Sequence, residues 1–99
     1  MELDNYVVDV LMRDLTGHDR SPAAFIVYLY LWNRTFGLKT KSVRTSLRTI
    51  AEGTGLSKSA VQAAIRRLAR RRLLRAARMA PTAVPEYVLN RPWVRNRSS

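Results

Sequence analysis

The segment that most constrains the fold is the run LRTIAEGTGLSKSAVQAAIRRL at positions 47–68. Its pattern predicts a short helix, a tight turn and a second helix. Ala51 and Gly55 are small residues at the places where two helices must cross steeply and the turn needs unusual backbone angles. Leu56 fills the corner with an apolar side chain, and Ser57 is predicted to cap the second helix. Residues 47–68 therefore predict two helices packed around a corner.

The second predicted helix, over residues 57–70, has two different faces. A buried stripe is predicted from apolar residues at helical spacing, namely Val61, Ala64, Ile65 and Leu68. The opposite side carries small, polar and basic side chains that can hydrogen-bond to base edges. We therefore predict that DNA bases are contacted by Lys58, Ser59, Gln62, Ala63 and Arg66. We predict that the DNA backbone is contacted by Lys39, Lys41, Arg44, Arg48, Ser57, Arg67, Arg70, Arg75 and Arg78.

This motif resembles bacterial winged-helix proteins of the MarR and GntR kind, and helix-turn-helix modules of bacterial, plasmid and phage regulatory or replication proteins. The resemblance rests on the spacing of Leu47, Ile50, Ala51, Gly55, Leu56, Val61 and Ile65. It covers about residues 21–90 and implies a mainly α fold with a small β-hairpin, a winged helix-turn-helix with an extra N-terminal helix here. In such proteins the second motif helix lies in the major groove and the hairpin, or wing, lies along the backbone.

The distribution of charge agrees with this interpretation. The chain of 99 residues is long enough for one domain with a modest core, and its net charge is +11. Residues 21–99 carry 16 of the 18 basic residues but only two of the seven acidic ones, Glu52 and Glu86. The positive charge thus coincides with the predicted DNA-binding motif, which favours double-stranded DNA as the partner.

Several other classes of protein find no support in the sequence. There is no cysteine, so a zinc finger and disulfides are excluded and a reducing cytoplasm, close to nucleoid DNA, is expected. His18 is the single histidine, and we predict no metal and no cofactor. No nucleophile with a base, paired carboxylates or phosphate loop is visible, so we do not expect an enzyme. The N-terminus lacks the features of a signal peptide, and the apolar run at 23–32 is too short to cross a membrane.

The region before the motif predicts two helices. Residues 3–15 place Leu3, Tyr6, Val7, Val10 and Leu11 on one helical face, although the valines also suit a strand. A loop is predicted at residues 16–18. Ser21 and Pro22 then predict the start of a long helix that ends near Phe36 and stops at Gly37.

The long helix is apolar nearly all round and must be covered on two sides. We assign one side to the domain core, through Phe25, Leu29, Trp32 and Phe36; packing there is favoured over an aromatic ligand cage. The other side, with Val27, Tyr30 and Leu31, is covered either by the N-terminal helix or by another subunit. Because regulators of this kind pair half-sites, we predict a homodimer through the N-terminal helix and residues 24–31.

After the motif, the sequence predicts the wing. Residues 42–44 predict a short first strand, and Ser46 is predicted to cap the first motif helix. A strand continues from the apolar pair Leu73 and Leu74 over residues 76–80, residues 81–83 form the tip, and residues 84–89 return. Relatives usually have glycine just before this apolar pair, where Arg72 stands, so either Arg72 bears left-handed strain or the helix ends differently. The chain is divided as 1–20, 21–94 and 95–99, with Trp93 packing near the end and a basic tail beyond it.

Alternatives remain at this point. The basic surface also suits a winged-helix module that binds an acidic protein partner, and RNA is disfavoured because no aromatic residue lies on the basic face. Lys39 and Lys41 are explained equally well by a solvated loop. Arg71 and Arg72 also fit as cations that stabilise a helix C-terminus.

Overall fold

A computed structural model of the chain describes residues 3–78 and 83–92. Its elements are, in order, an N-terminal helix with the π-helical segments Val7–Leu11 and Asp14–His18, then α1 (Pro22–Arg34), a 3-10 helix (Phe36–Leu38), β1 (Val43–Arg44), α2 (Leu47–Thr54), α3 (Lys58–Arg70), β2 (Leu74–Ala77) and β3 (Glu86–Leu89). Three helices and a three-stranded antiparallel sheet form the winged helix-turn-helix arrangement that the sequence predicts.

The N-terminal segment is helical, so the helix prediction is confirmed over the strand alternative. The predicted loop at residues 16–18 is wrong, because these residues belong to the second π-helical segment. Val7, Leu11 and Leu15 are buried at a spacing of four residues. That spacing exceeds the 3.6-residue turn of an α-helix, and the wider i→i+5 turn keeps the three side chains on one face.

Helix α1 begins as predicted, since the Ser21 hydroxyl accepts a hydrogen bond from the Ala24 amide at 3.4 Å. Its predicted end near Phe36 and Gly37 is wrong, because α1 ends at Arg34. Thr35 leaves the α conformation, and its hydroxyl donates to the Leu31 carbonyl at 2.8 Å. The chain then turns at Lys39, which is left-handed with φ of 59°. Thr40 stabilises this exit, because its amide donates to the Thr35 carbonyl at 2.9 Å.

One hydrophobic core joins the N-terminal helix to α1, α2, α3 and the sheet. Phe25 and Trp32 are buried in it as predicted, whereas Leu29 and Phe36 are only half-buried. Val27 and Leu31 are fully buried within the single chain. Of the two alternatives for this side of α1, another subunit is therefore not needed to cover these two residues, because one chain already buries them.

The sheet has the strand order β1-β3-β2. Strand β3 pairs with both neighbours, with Val43 opposite Tyr87 on one side and Leu74 opposite Leu89 on the other. Tyr87 and Leu89 are buried and their neighbours are half-buried, which confirms the predicted alternation. The returning strand begins at Glu86 and not at residue 84, because Pro85 has no amide hydrogen for the sheet. Residues 79–82, with most of the predicted tip, lie outside the described residues, as do Trp93 and the basic tail.

Candidate nucleic-acid interface

The turn between α2 and α3 has the geometry that its sequence predicts. Gly55 is left-handed with φ of 80°, and its amide donates to the Ala51 carbonyl at 2.9 Å. A residue with a side chain is strained in this conformation, which explains the glycine. Ser46 caps α2 by accepting from the Thr49 amide at 3.1 Å, and Ser57 caps α3 by accepting from the Ala60 amide at 3.1 Å. Two locally encoded caps and one glycine thus fix the corner.

Helix α3 buries one side and exposes the other. Val61, Ala64 and Leu68 are buried, and Ile65 is half-buried. The five predicted base-reading residues, Lys58, Ser59, Gln62, Ala63 and Arg66, are all exposed. Ser59 shares a hydrogen bond of 3.2 Å with Ser57. The side chains of Lys58, Gln62 and Arg66 make no hydrogen bond or ion pair with another described residue, so their polar groups are available to a ligand.

A groove separates the exposed side of α3 from the sheet. It has a volume of about 250 Å³ and is lined by Gln62 and Ile65 on α3, Ala76 and Ala77 on β2, and Tyr87 on β3, among others. The alanines of β2 are exposed and leave the groove open. Gln62 therefore lies on the side of α3 that faces the wing.

The predicted backbone-contact residues fall at several places on the surface. Lys39, Lys41, Arg44, Arg48, Ser57, Arg70, Arg75 and Arg78 are exposed, and Arg67 is half-buried. Arg48 pairs with Glu52 at 3.2 Å across one turn of α2. Arg44 of β1 and Arg78 after β2 line one hollow near the end of β2 and the start of β3. The structure thus brings the predicted residues of the first strand and the wing together.

The C-terminus of α3 contains the left-handed residue that the resemblance implies, but without glycine. Arg72 has φ of 60° and is exposed. Its amide donates to the Ala69 carbonyl at 3.0 Å, and the Leu73 amide donates to the Leu68 carbonyl at 2.9 Å. This pair of bonds is the Schellman motif, in which glycine is the usual left-handed residue. Of the two alternatives for Arg72, the strained conformation is confirmed.

Arg71 has a role that the sequence analysis missed. Its guanidinium donates to both carboxylate oxygens of Asp19 at 2.9 Å and to Asp14 at 3.4 Å. The Asp19 side chain is only 6% exposed. Arg91 makes a similar contact with Asp4 at 3.3 Å. Ion pairs therefore hold acidic residues of the N-terminal region against basic residues that follow α3 and β3.

The sequence analysis also missed the contacts that Tyr30 makes with Gly53 and Arg34. A Cβ atom at Gly53 would lie 2.5 Å from the Tyr30 ring, so the ring packs directly on the backbone of α2. The Arg34 guanidinium lies over the same Tyr30 ring, 5.0 Å from its centroid. No local pattern predicts this cluster, because Gly53 reads in sequence as an ordinary helix-weakening residue.

Two buried tyrosines are structural. Burial raises the pKa of Tyr28 well above its ordinary value, and its hydroxyl donates to the Asn90 carbonyl at 2.9 Å. Burial also raises the pKa of Tyr87, with the positive charge of Arg78 acting in the opposite direction. Both phenols therefore remain neutral, and Tyr28 ties α1 to the end of β3.

Within residues 3–78 and 83–92, no group of three or more His, Cys, Asp or Glu side chains could hold a metal ion. Among the same residues, no helix has the length and apolar character needed to cross a membrane.

A comparison with protein families finds a match to a family model described as a helix-turn-helix domain, over residues 21–74. The match covers just over half of the chain and contains α1, α2, the turn and α3. Neither a search of curated proteins nor a search of solved structures finds a match.

Proposed function

Because the chain belongs to the helix-turn-helix domain family, we propose that it is a sequence-specific binder of double-stranded DNA. It acts as a transcription regulator or as the DNA-binding module of a replication or partition system. Helix α3 lies in the major groove, and the wing, residues 75–89, lies along the backbone. This assignment also implies that the protein works on DNA in the cytoplasm.

One observation carries the proposal, namely the exposed side of α3. The side chains of Lys58, Gln62 and Arg66 have no partner among the described residues, whereas the opposite side of the same helix packs on the core. Glutamine can donate to and accept from adenine, and arginine can form two hydrogen bonds with guanine. The small side chain of Ala63 lets the helix approach the bases closely. These features suit a helix that enters a groove.

The specificity of binding is tested by selecting a preferred duplex from a random pool with the pure protein. We expect Gln62→Ala and Arg66→Ala each to weaken binding to the selected duplex by roughly 1–3 kcal/mol, and binding to random DNA by less. Fluorescence anisotropy at fixed salt measures both. Arg13→Ala is a matched control, because Arg13 is exposed on the N-terminal helix and belongs to neither set of predicted DNA contacts.

Equal losses on selected and random DNA would show that Gln62 and Arg66 contact only the backbone. Failure of the wild-type protein to bind any duplex at low salt would contradict the proposal, and would favour the interaction module with an acidic protein partner.

The homodimer remains a prediction, but the residues expected to form its contact surface change. Val27 and Leu31 are buried within one chain, so they no longer call for a second subunit. The apolar side chains still exposed nearby are Tyr6, Val8, Met12 and Ile26. A pair of chains would use these residues and would place two copies of α3 on two half-sites.

A further inference from the structure

A second polar cavity lies away from the exposed side of α3. It is an open hollow of about 250 Å³ between the end of α1, strand β1 and the start of α2. Its lining residues are Tyr30, Arg34, Val43, Arg44, Thr45 and Thr49. No acidic residue and no residue of α3 belongs to this lining, so its chemistry is distinct from that of the proposed base-reading surface.

Two arginines give the cavity its charge. Neither Arg34 nor Arg44 forms an ion pair with a described carboxylate. The nearest acidic residue in the strand pairing is Glu86, opposite Arg44, and its carboxylate accepts a hydrogen bond of 2.6 Å from the Ser42 hydroxyl. The guanidinium carbon of Arg34 lies 5.0 Å from the centroid of the Tyr30 ring. The cavity lining therefore contains two guanidinium groups, one of which packs on the Tyr30 ring.

A hydroxyl group adds a neutral hydrogen-bond donor to this cavity, and a helix N-terminus adds a partial positive charge. Thr45 is 8% exposed, and its hydroxyl is buried without a hydrogen-bond partner among the described residues. A buried polar group in a native protein normally has a partner, and a bound ligand can supply it. Thr49 lies in the first turn of α2, where the helix dipole also attracts an anion.

We infer that this cavity binds a phosphate group, with Arg34 and Arg44 as charged donors and Thr45 as a neutral donor. Arginine suits a phosphate because its planar guanidinium presents two parallel N–H groups to two oxygens. The same chemistry occurs in a phosphodiester of the DNA backbone and in a free phosphate ester. The DNA source rests on the proposed function, whereas the free phosphate source does not.

The test begins without DNA. Isotope-labelled protein is titrated with sodium phosphate and, at equal ionic strength, with sodium chloride, while amide NMR shifts are recorded. We expect saturable shifts at residues 34 and 43–49 with phosphate only. Arg34→Gln and Thr45→Val should each weaken this binding by roughly tenfold, because each removes one donor to the anion. Arg13→Gln, which removes an equal charge from the N-terminal helix, should leave it within about twofold, because Arg13 is exposed and does not line the cavity.

Thermal unfolding of each variant shows that the fold is kept, and Thr45→Val preserves the shape of the side chain. Shifts that are equal in phosphate and chloride would overturn the inference. An equal loss in Arg34→Gln and Arg13→Gln would also overturn it, because only the net charge of the protein would then matter.

A second measurement identifies the source of the phosphate. Binding of the selected duplex is followed against salt for the wild type and Arg34→Gln. A slope of log affinity against log salt that falls by about 1 in Arg34→Gln assigns the site to a backbone phosphate. An unchanged slope, with phosphate binding lost, assigns it to a free phosphate ester. If no duplex binds at all, the proposed function fails while the phosphate titration still decides this inference.

Discussion

Arg72 occupies a backbone conformation that costs free energy for any residue with a side chain. Its φ of 60° places it in the left-handed region, and the residue is exposed. The cost for a residue other than glycine is roughly 1–2 kcal/mol, and the greater freedom of glycine in the unfolded chain offsets part of it. We expect Arg72→Gly to raise the free energy of unfolding by about 0.5–1 kcal/mol, and Tm by roughly 3–6 °C.

Arg70→Gly is the matched control, because it replaces the same residue type two positions earlier, at the last residue of α3. Glycine within a helix costs up to about 1 kcal/mol, so this variant should be less stable than the wild type. Urea unfolding of both variants measures the difference. A loss of stability in Arg72→Gly would show that the Arg72 side chain contributes more than its backbone strain costs.

At the residue scale, the sequence predicts what is encoded locally. The caps Ser21, Ser46 and Ser57 were correct because a cap is a contact between neighbours along the chain. The left-handed conformation of Arg72 is one of two alternatives that the sequence predicts, because it too depends on neighbours along the chain. By contrast, the packing of Tyr30 on Gly53 joins residues from two helices, and neither residue has a pattern that predicts the other.

Between elements, the contact of Arg71 with Asp19 holds the loop before α1 against the end of α3. The two residues are 52 positions apart, and one guanidinium nitrogen of Arg71 donates to both Asp19 carboxylate oxygens at 2.9 Å. The Asp19 side chain is nearly buried, whereas about a third of Arg71 is exposed. Asp19→Asn removes the charge from the two hydrogen bonds that Arg71 donates, so we expect this variant to lower the free energy of unfolding by about 1–3 kcal/mol.

Glu52→Gln provides the comparison, because it breaks the exposed pair of Arg48 and Glu52 within α2. Such a pair contributes less than about 0.5 kcal/mol. Urea unfolding of both variants, with Arg71→Gln and the double variant, completes the measurement. If the double variant loses the full sum of the two single losses, the contact does not couple the loop to α3.

The same contact shows that the sequence of a single element does not predict its partners in other elements. The periodicity of α3 indicated its buried side correctly, because that signal repeats along one helix. The end of α1 was placed too late, because Thr35 and Thr40 form hydrogen bonds that depend on how the following turn folds back. Arg71 was assigned only a local role at the helix end, because its acidic partners lie in another element.

At the scale of the whole molecule, the excess positive charge predicts binding that depends strongly on salt. Residues 21–99 carry nearly all of the basic residues. If five or six phosphates are neutralised per chain, log affinity should fall against log salt with a slope of about −5. Anisotropy titrations of a random duplex over a range of salt concentrations measure the slope. Duplex binding that is indifferent to salt would contradict a contact with the phosphate backbone.

The oligomeric state is also a property of the whole molecule. Val7, Leu11 and Leu15 belong to the core, so removing the N-terminal helix would open the core as well as any subunit contact. Surface substitutions are therefore a cleaner test than truncation. Val8 and Met12 are 44% and 40% exposed, four residues apart on this helix.

We expect the wild type to sediment with the mass of two chains at micromolar concentration, and the variant carrying Val8→Ser and Met12→Ser with the mass of one. The physical reason is that both changes remove apolar area from the face that a second copy would cover. Leu38→Ser is the control, because Leu38 is 62% exposed outside the two helices concerned and its loss should leave the mass unchanged. A wild type with the mass of one chain at every concentration, and one chain bound per selected duplex, would exclude the homodimer.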